Sequence, residues 1–306
     1  MSSTTLTTST PERVVSIAED ELGEEGGRGL IIKAQAEIER VARMRGLAID
    51  GFFSTSARSI VVLAYDKSSG SRYVLKAPIS NLDMVSSVME CYARAGIGPL
   101  SLRSGDVIVS EYIEDNQSFF AEGSLEDFSA KRLFSRLTKC QYELDDDPIT
   151  FEEKMTQVLS DARRRAEHFG GDDAREIVGS LKYDIEELVE LSRGVDDFVC
   201  HGDLHYKNIL RNHGHPLVID PDPHLGPRET DVVALCSSLG VRHERTILDL
   251  DLDMEVADTA RRIYEADRKL YQMFRQSSPV PKPIGQASRY LIAGLAKRIE
   301  SEKSPF

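Results

Sequence analysis

Apolar and polar residues alternate as in β-strands between residues 47 and 113, and helical spacing dominates on both sides of this region. The runs "IVVLAY" and "RYVLKA" flank the turn "DKSSGS" and predict two strands of a meander. The segments "GFF", "LSLR" and "VIVSEYI" add three more. The pattern therefore predicts a small antiparallel sheet in the first third of the chain.

Helical patterns fill most of the remaining sequence. Residues 12–45 predict two helices that end at Gly46, and "MVSSVMECYARAG" predicts one helix within the strand region. Residues 124–193 predict three helices, and others follow near 229–240, near 253–275 and after the Pro-rich linker "QSSPVPKPIGQ". A small sheet with one inserted helix, followed by a helical part, predicts an α+β fold with two lobes.

Composition restricts the cellular setting and the partners. The longest apolar run is too short to span a bilayer, and no basic segment with a following apolar run predicts a secretory signal. The four cysteines are widely spaced, as in proteins of a reducing compartment with buried free thiols. We therefore expect a cytoplasmic protein without a membrane partner.

The net charge of −13 is concentrated in residues 113–306, which carry −11 of it. Such a surface repels nucleic acid, so we expect no nucleic-acid partner. It is compatible with a cationic small molecule or with a simple solvated acidic surface.

The stretch "CHGDLHYKNIL", residues 200–210, joins polar side chains to apolar flanks just before the strand-like run "PLVID". Asp203, Asn208 and Asp220 offer the oxygen ligands that Mg²⁺ prefers, and magnesium with few protein ligands usually shares them with phosphate. Phosphoryl transfer also needs a lysine on the phosphates, for which Lys76 is the candidate. Glu90 lies off the apolar stripe of the next helix, so we expect it to face Lys76.

The strings "HGDLHYKN" and "VIDPD" resemble the aminoglycoside phosphotransferase family, whose fold is that of protein kinases. The histidine, aspartate and asparagine keep the spacing of the kinase catalytic loop. The run Ile219, Asp220, Pro221, Gly226 and Asp231 is similar to the branch that phosphorylates streptomycin or hydroxyurea-type antibiotics. The resemblance covers about residues 48–240 in order and implies a bilobal kinase-like fold.

The resemblance also implies a role for each matched residue. Asp203 would orient and deprotonate the acceptor hydroxyl, Asn208 and Asp220 would hold Mg²⁺, and Lys76, paired with Glu90, would contact the nucleotide phosphates. His201 and Asp231 would support the catalytic loop. A hinge that binds adenine through backbone groups would comprise Glu111, Tyr112 and Ile113.

The sequence departs from the kinase pattern because no G-x-G-x-x-G is present. The phosphate loop would instead use Ser54, Thr55, Ser56 and backbone amides. Such a loop does not distinguish ATP from GTP as the phosphate donor. For the acceptor, we consider His205, Asp222, Glu300 and Glu302, together with acidic runs at 145–147 and 249–258.

We therefore expect a disordered tail over residues 1–11, a nucleotide-binding lobe over 12–112 and a catalytic and acceptor-binding lobe over 113–306. The predicted activity is phosphorylation of a hydroxyl of an aminoglycoside or similar cationic antibiotic by ATP or GTP. Alternatives are a kinase of a nucleoside antibiotic, homoserine or choline, a kinase-like nucleotide-binding protein without turnover, and a zinc hydrolase that uses the histidines concentrated in 201–224.

Overall fold

The computed structural model describes residues 6–7, 10, 14–15, 18–19, 24–53, 59–78, 82–114, 130–138, 140, 149–169, 171–193, 198–240 and 242–277. The predicted α+β class is confirmed, since a sheet occupies the first part and helices dominate the second. The Pro-rich linker and the final predicted helix lie outside the described residues.

Six antiparallel strands form the amino-terminal sheet in the order β1-β2-β3-β4-β6-β5. The strands are β1 (Leu6–Thr7), β2 (Leu47–Phe53), β3 (Ser59–Asp66), β4 (Arg72–Pro78), β5 (Ser101–Ser104) and β6 (Val107–Glu111). Helix α1 (Glu24–Met44) packs its apolar stripe on one face of this sheet. Alternating residues such as Val62 and Leu75 supply the buried core between helix and sheet.

Residues 6–7 of the segment expected to be a disordered tail form a short strand. Leu6 pairs with Phe53 and Thr7 with Phe52, so β1 extends the sheet beyond β2. An edge strand offers unpaired backbone groups, and a short Thr-rich segment can satisfy them without a hydrophobic pattern of its own. That is why composition alone indicated disorder.

Helix α2 (Leu82–Arg94) links the sheet to the helical part. Val85 and Met89 pack against Ile108 of β6, whereas Val88 and Tyr92 belong to the core of the carboxyl-terminal part. Directly after the helix, the Ile97 carbonyl accepts a 2.6 Å hydrogen bond from the Val218 amide. The helix is therefore anchored to both lobes.

The carboxyl-terminal part contains α3 (Ala130–Leu137), α4 (Phe151–Phe169), α5 (Asp172–Ser192), α6 (Glu229–Leu239), α7 (Glu244–Asp249) and α8 (Met254–Ser277). Two small antiparallel pairs interrupt them: β7 (Phe198–Cys200) with β10 (His224–Gly226), and β8 (Ile209–Asn212) with β9 (His215–Val218). Helices α4, α5 and α8 share one apolar core. The polar segment 201–208 lies between the two strand pairs.

The four cysteines are buried free thiols, as the sequence predicted. Within the described ranges, no helix combines the length and the apolar character needed to cross a membrane.

Candidate active site

The catalytic-loop segment, residues 201–208, makes a sharp turn at Gly202. The Gly202 φ of 76° is left-handed, and a Cβ atom there would lie 1.9 Å from the Asp222 carbonyl oxygen. Only glycine fits both the conformation and the close approach. The Asp222 amide also donates a 2.8 Å hydrogen bond to the His201 carbonyl, so the segment is held against the turn after β9.

His201 has no exposed surface and stacks on the ring of Tyr92 of α2. Its Nε2 lies 3.0 Å from the Ile219 carbonyl, and its Nδ1 accepts from the Asp203 amide at 3.2 Å. These two bonds fit a neutral imidazole protonated on Nε2. Burial lowers the pKa of His201 to about 4, so the ring stays neutral near pH 7. The geometry is that of a structural residue behind the loop.

Asp231, in the first turn of α6, is buried and accepts two backbone hydrogen bonds from the loop. The His201 amide donates at 2.6 Å and the Gly202 amide at 3.0 Å. Burial raises the pKa of Asp231 to about 6, and the two amide bonds oppose that rise. The carboxylate therefore fixes the start of the loop through its backbone, the position that the sequence analysis assigned to it.

About half of the Asp203 side chain (52%) is exposed. The Asn208 Nδ2 donates to the Asp203 backbone carbonyl at 2.9 Å and to its Oδ2 at 3.2 Å. Burial raises the pKa of Asp203 to about 6; the nearby Asp220 and Asp222 add to the rise, and His205 and Asn208 oppose it. An oriented carboxylate with a raised pKa is a suitable general base.

Lys76 of β4 forms an ion pair with Asp220, 144 residues later in the chain. The Lys76 side chain is nearly buried, while that of Asp220 is about half exposed. Partial burial raises the pKa of Asp220, but the charge and hydrogen bond of Lys76 outweigh it, and the pKa lies below its usual value. Asp220 adopts a left-handed φ of 59° just after β9. This ion pair therefore joins the amino-terminal sheet to the carboxyl-terminal lobe.

The predicted pairing of Lys76 with Glu90 is wrong in this structure. The Glu90 Oε1 instead accepts a 3.3 Å bond from the Arg103 amide of β5 and a 3.5 Å bond from the Ser86 hydroxyl one helical turn earlier. The lysine is engaged by Asp220 from the other lobe. Its position off the apolar stripe placed Glu90 on a polar face of α2. That face contacts β5 through Arg103 and does not contact Lys76.

The predicted hinge residues Glu111, Tyr112 and Ile113 end β6 and leave the sheet. The Glu111 amide donates to the Leu100 carbonyl at 2.9 Å, and the Tyr112 amide donates to the Arg72 carbonyl at 3.1 Å. Two of the three amides are therefore committed to the sheet. A base bound at this hinge would need the Ile113 amide or the carbonyl groups.

Asp222, predicted as an acceptor residue, forms an ion pair that the sequence did not reveal. The Lys154 Nζ of α4 lies 2.5 Å from the Asp222 Oδ2, and Lys154 is almost fully buried. A lysine in an amphipathic helix looks like a solvated residue, and the partners are 68 positions apart. No short motif could have joined them.

The remaining predicted residues divide into two groups. His205 lies beside Asp203, with its Nε2 3.8 Å from the Asp203 Oδ1. Ser54, Thr55, Ser56, Glu300 and Glu302 lie outside the described residues, and so does the acidic run 145–147. The run 249–258 spans the end of α7 and the start of α8.

The zinc alternative gains no support from the part of the chain that the structure describes. His213 lies in the turn between β8 and β9, and His215 is the first residue of β9. Within the described residues, no three His, Cys, Asp or Glu side chains are grouped as a metal site. Magnesium needs fewer protein ligands.

The oxygen donors present fit Mg²⁺. The Asn208 amide nitrogen is used by Asp203, which leaves its oxygen for a ligand, and the Lys76 bond occupies only one oxygen of Asp220. One amide oxygen and one carboxylate oxygen suit a magnesium ion that takes its other ligands from water and phosphate.

The sequence matches no protein-family model and no curated protein. Solved structures do resemble the chain. A choline/ethanolamine kinase family protein from Mesorhizobium loti superposes with a TM-score of 0.52 at 15% identity, covering 90% of this chain and 96% of that one. This likeness shows that the chain has the bilobal kinase-like fold that the sequence analysis predicted.

Two further structures resemble the chain more weakly. APH(2'')-IIa, solved as a ternary complex with streptomycin and ATP, has a TM-score of 0.49 at 13% identity, covering 86% of this chain and 95% of that one. Choline kinase from Cryptosporidium parvum has a TM-score of 0.48 at 9% identity, with coverages of 78% and 94%.

Proposed function

We propose that this protein is a small-molecule kinase that transfers the γ-phosphoryl group of ATP or GTP to a hydroxyl group. Three contacts support the proposal: Lys76 pairs with Asp220, Asn208 bonds to the Asp203 carboxylate, and the Ile219 amide, next to Asp220, donates to the Asn208 carbonyl at 2.9 Å. A kinase-like fold alone would not suffice, because one fold serves many functions. Each of these side chains has the chemistry that a step of phosphoryl transfer requires.

The reaction follows from the positions of these side chains. Asp203 accepts the proton of the acceptor hydroxyl as its oxygen attacks the γ-phosphorus, and the bond to the β-phosphate oxygen breaks to release the nucleoside diphosphate. Asn208 keeps the Asp203 carboxylate oriented through its amide nitrogen. Lys76 places a positive charge where the phosphates would lie. Asn208 and Asp220 would hold the magnesium ion, which supplies charge for the phosphate oxygens.

The assignment of lobes is part of this proposal. Residues 12–112 would bind the nucleotide, with the hinge at Glu111–Ile113 and the serines and threonine at 54–56. Residues 113–306 would supply the catalytic loop and the acceptor site. Helix α2 contacts the cores of both lobes and would transmit closure between them.

The acceptor would be an antibiotic or a metabolite with a free hydroxyl. Asp222 is one of the residues expected to bind a cationic aminoglycoside, but Lys154 already neutralises its carboxylate. Choline, homoserine and nucleoside antibiotics therefore stand beside aminoglycosides as candidates. A binding protein without turnover is less well supported, because Asn208 bonds the Asp203 carboxylate, as a general base in a fixed position requires.

The test is nucleotide turnover with Mg·ATP and Mg·GTP over a panel of aminoglycosides, nucleoside antibiotics, choline and homoserine. We expect acceptor-dependent turnover in the wild type. Asp203→Asn should lower kcat on the order of 10²–10⁴-fold, because it removes a general base while conserving shape. Unchanged turnover in Asp203→Asn, with the protein folded, would refute the assigned mechanism.

A further inference from the structure

Helix α4 begins against residues 222–226, the segment that contains β10. The Ile149 carbonyl, two residues before the helix, accepts a 2.7 Å hydrogen bond from the Leu225 amide. The Phe151 ring, at the first position of the helix, stacks on the ring of His224 with 6.3 Å between the centroids. A backbone contact and a ring contact therefore fix the start of α4 on this segment.

Lys154, one helical turn after Phe151, adds a charged contact to the same segment. Its Nζ lies 2.5 Å from the Asp222 Oδ2, and only 9% of the lysine side chain is exposed, against 39% of the aspartate side chain. Lysine is rarely buried to this extent unless it is paired. Because desolvation of the ammonium group costs free energy that its partner has to offset, the pair holds the Asp222 carboxylate in one place.

The backbone of Asp222 in turn holds the start of the catalytic loop. Its amide donates a 2.8 Å hydrogen bond to the His201 carbonyl. Its carbonyl oxygen lies so close to Gly202 that a Cβ atom on this glycine would be 1.9 Å away. Asp203 is the next residue of the chain. The position of Asp222 therefore determines the position of the two residues that precede Asp203.

Two lysines from different lobes pair with the two carboxylates of the "DPD" turn. Lys76 of β4 pairs with Asp220, and Lys154 of α4 pairs with Asp222. Both carboxylates lie close enough to Asp203 to interact with its charge. Without Lys154, the Asp222 carboxylate would be an unpaired charge beside the proposed base. Loss of one partner from a buried ion pair is more damaging than loss of both.

We propose that Lys154 is a positioning residue for phosphoryl transfer, which acts through the Asp222 carboxylate to hold the turn that places Asp203. The proposal rests on the kinase function proposed above. Lys154 contacts neither the nucleotide nor the acceptor in this account. Its loss should therefore lower kcat without weakening the binding of ATP.

The test is a double-mutant cycle with Mg·ATP, in which choline, homoserine, aminoglycosides and the small-molecule fraction of a cell extract serve as acceptor sources. Lys154→Met should lower kcat roughly 10- to 100-fold, as for a small displacement of a reacting group, while KM for ATP changes by less than about twofold. Asp222→Asn should lower kcat to a similar extent. Because Lys154 acts through Asp222, the double variant should be no slower than the slower single variant.

Amide hydrogen exchange tests the same contact without an acceptor. Lys154→Met should accelerate exchange in peptides that cover residues 199–205 and 219–226, and leave β3 and β4 as in the wild type, because the change is local. Melting temperatures establish whether each variant is folded. If Lys154→Met does not fold, Asp222→Asn breaks the same ion pair from its more exposed side and should show the same fall in kcat and the same faster exchange.

Lys182→Met is the matched control, because Lys182 of α5 pairs with Glu186 at 3.5 Å on an exposed surface. It should behave as wild type in both measurements. Additive losses in the cycle, a higher KM for ATP in place of a lower kcat, or unchanged exchange in Lys154→Met would overturn the positioning role and leave the kinase function intact. Absence of Asp203-dependent turnover on every acceptor in the wild type would contradict the kinase function, and the exchange experiment would still decide whether Lys154 holds the turn.

Discussion

The two faces of strand β4 show how differently the parts of this molecule are stabilised. Leu75 points into the apolar core beneath α1 and is fully buried, whereas its neighbour Lys76 points into the cleft and pairs with Asp220. The stabilisation gained by burying Leu75 depends on the apolar area removed from water, so any apolar neighbour of suitable shape can provide it. The position of the Lys76 side chain, in contrast, depends on one specific carboxylate, that of Asp220 in the other lobe. On β4, a residue that stabilises the fold therefore lies directly next to a residue proposed to act in phosphoryl transfer.

The catalytic-loop segment extends the same contrast. The strands on either side of it are short, and its shape depends on single hydrogen bonds from backbone amides to buried side chains, such as the two bonds to Asp231. A buried polar group that loses its partner is costly, so each such bond matters more than one contact in the sheet. We expect substitutions in the sheet to change stability and substitutions in the cleft to change turnover.

The largest difference should appear at Lys76. Lys76→Met keeps the length of the side chain and removes its charge, so turnover should fall on the order of 10²-fold or more, as for loss of a preorganised charge at a transition state. The melting temperature should change little by comparison. Steady-state kinetics and thermal unfolding measure the two effects. A variant with wild-type turnover would remove Lys76 from the proposed mechanism.

The neighbouring substitution Leu75→Ala should give the opposite result. It leaves a cavity in the core under α1 and should lower the free energy of unfolding by about 2–5 kcal/mol. Turnover per folded molecule should stay within a few-fold of wild type, because the side chain does not face the cleft. Denaturant unfolding and active-site titration measure these quantities. A specific loss of turnover without loss of stability would contradict the division between the two faces.

The smallest effect is expected from pH. Since the pKa of Asp203 is raised to about 6, protonation of the base begins at higher pH than for an ordinary aspartate. A general base acts when deprotonated, so kcat/KM should fall as pH decreases through about 6 and level off above it. A pH profile between 4.5 and 8 at saturating nucleotide tests this. A profile that stays flat down to pH 4.5 would show that the Asp203 environment is less desolvated than described.

Local patterns predicted the sheet and the loop residues because both depend on neighbours in sequence. Strands β3 and β4 alternate around a recognisable turn, and Asp203 and Asn208 lie on one short segment. The pairs Lys76–Asp220 and Lys154–Asp222 join residues from distant elements, and a helical pattern gives a polar face without naming what it meets. Glu90 was assigned the wrong partner for that reason.

The most direct test of the account is transfer of labelled phosphate from γ-labelled ATP or GTP to a small molecule, with wild type and Asp203→Asn compared in a cell extract. The account predicts label in an acceptor with wild-type protein and, over the same time, roughly a hundredfold less or lower with the variant. Nucleotide that binds with its label untransferred, or label released only as inorganic phosphate by both proteins, would contradict the proposed kinase function.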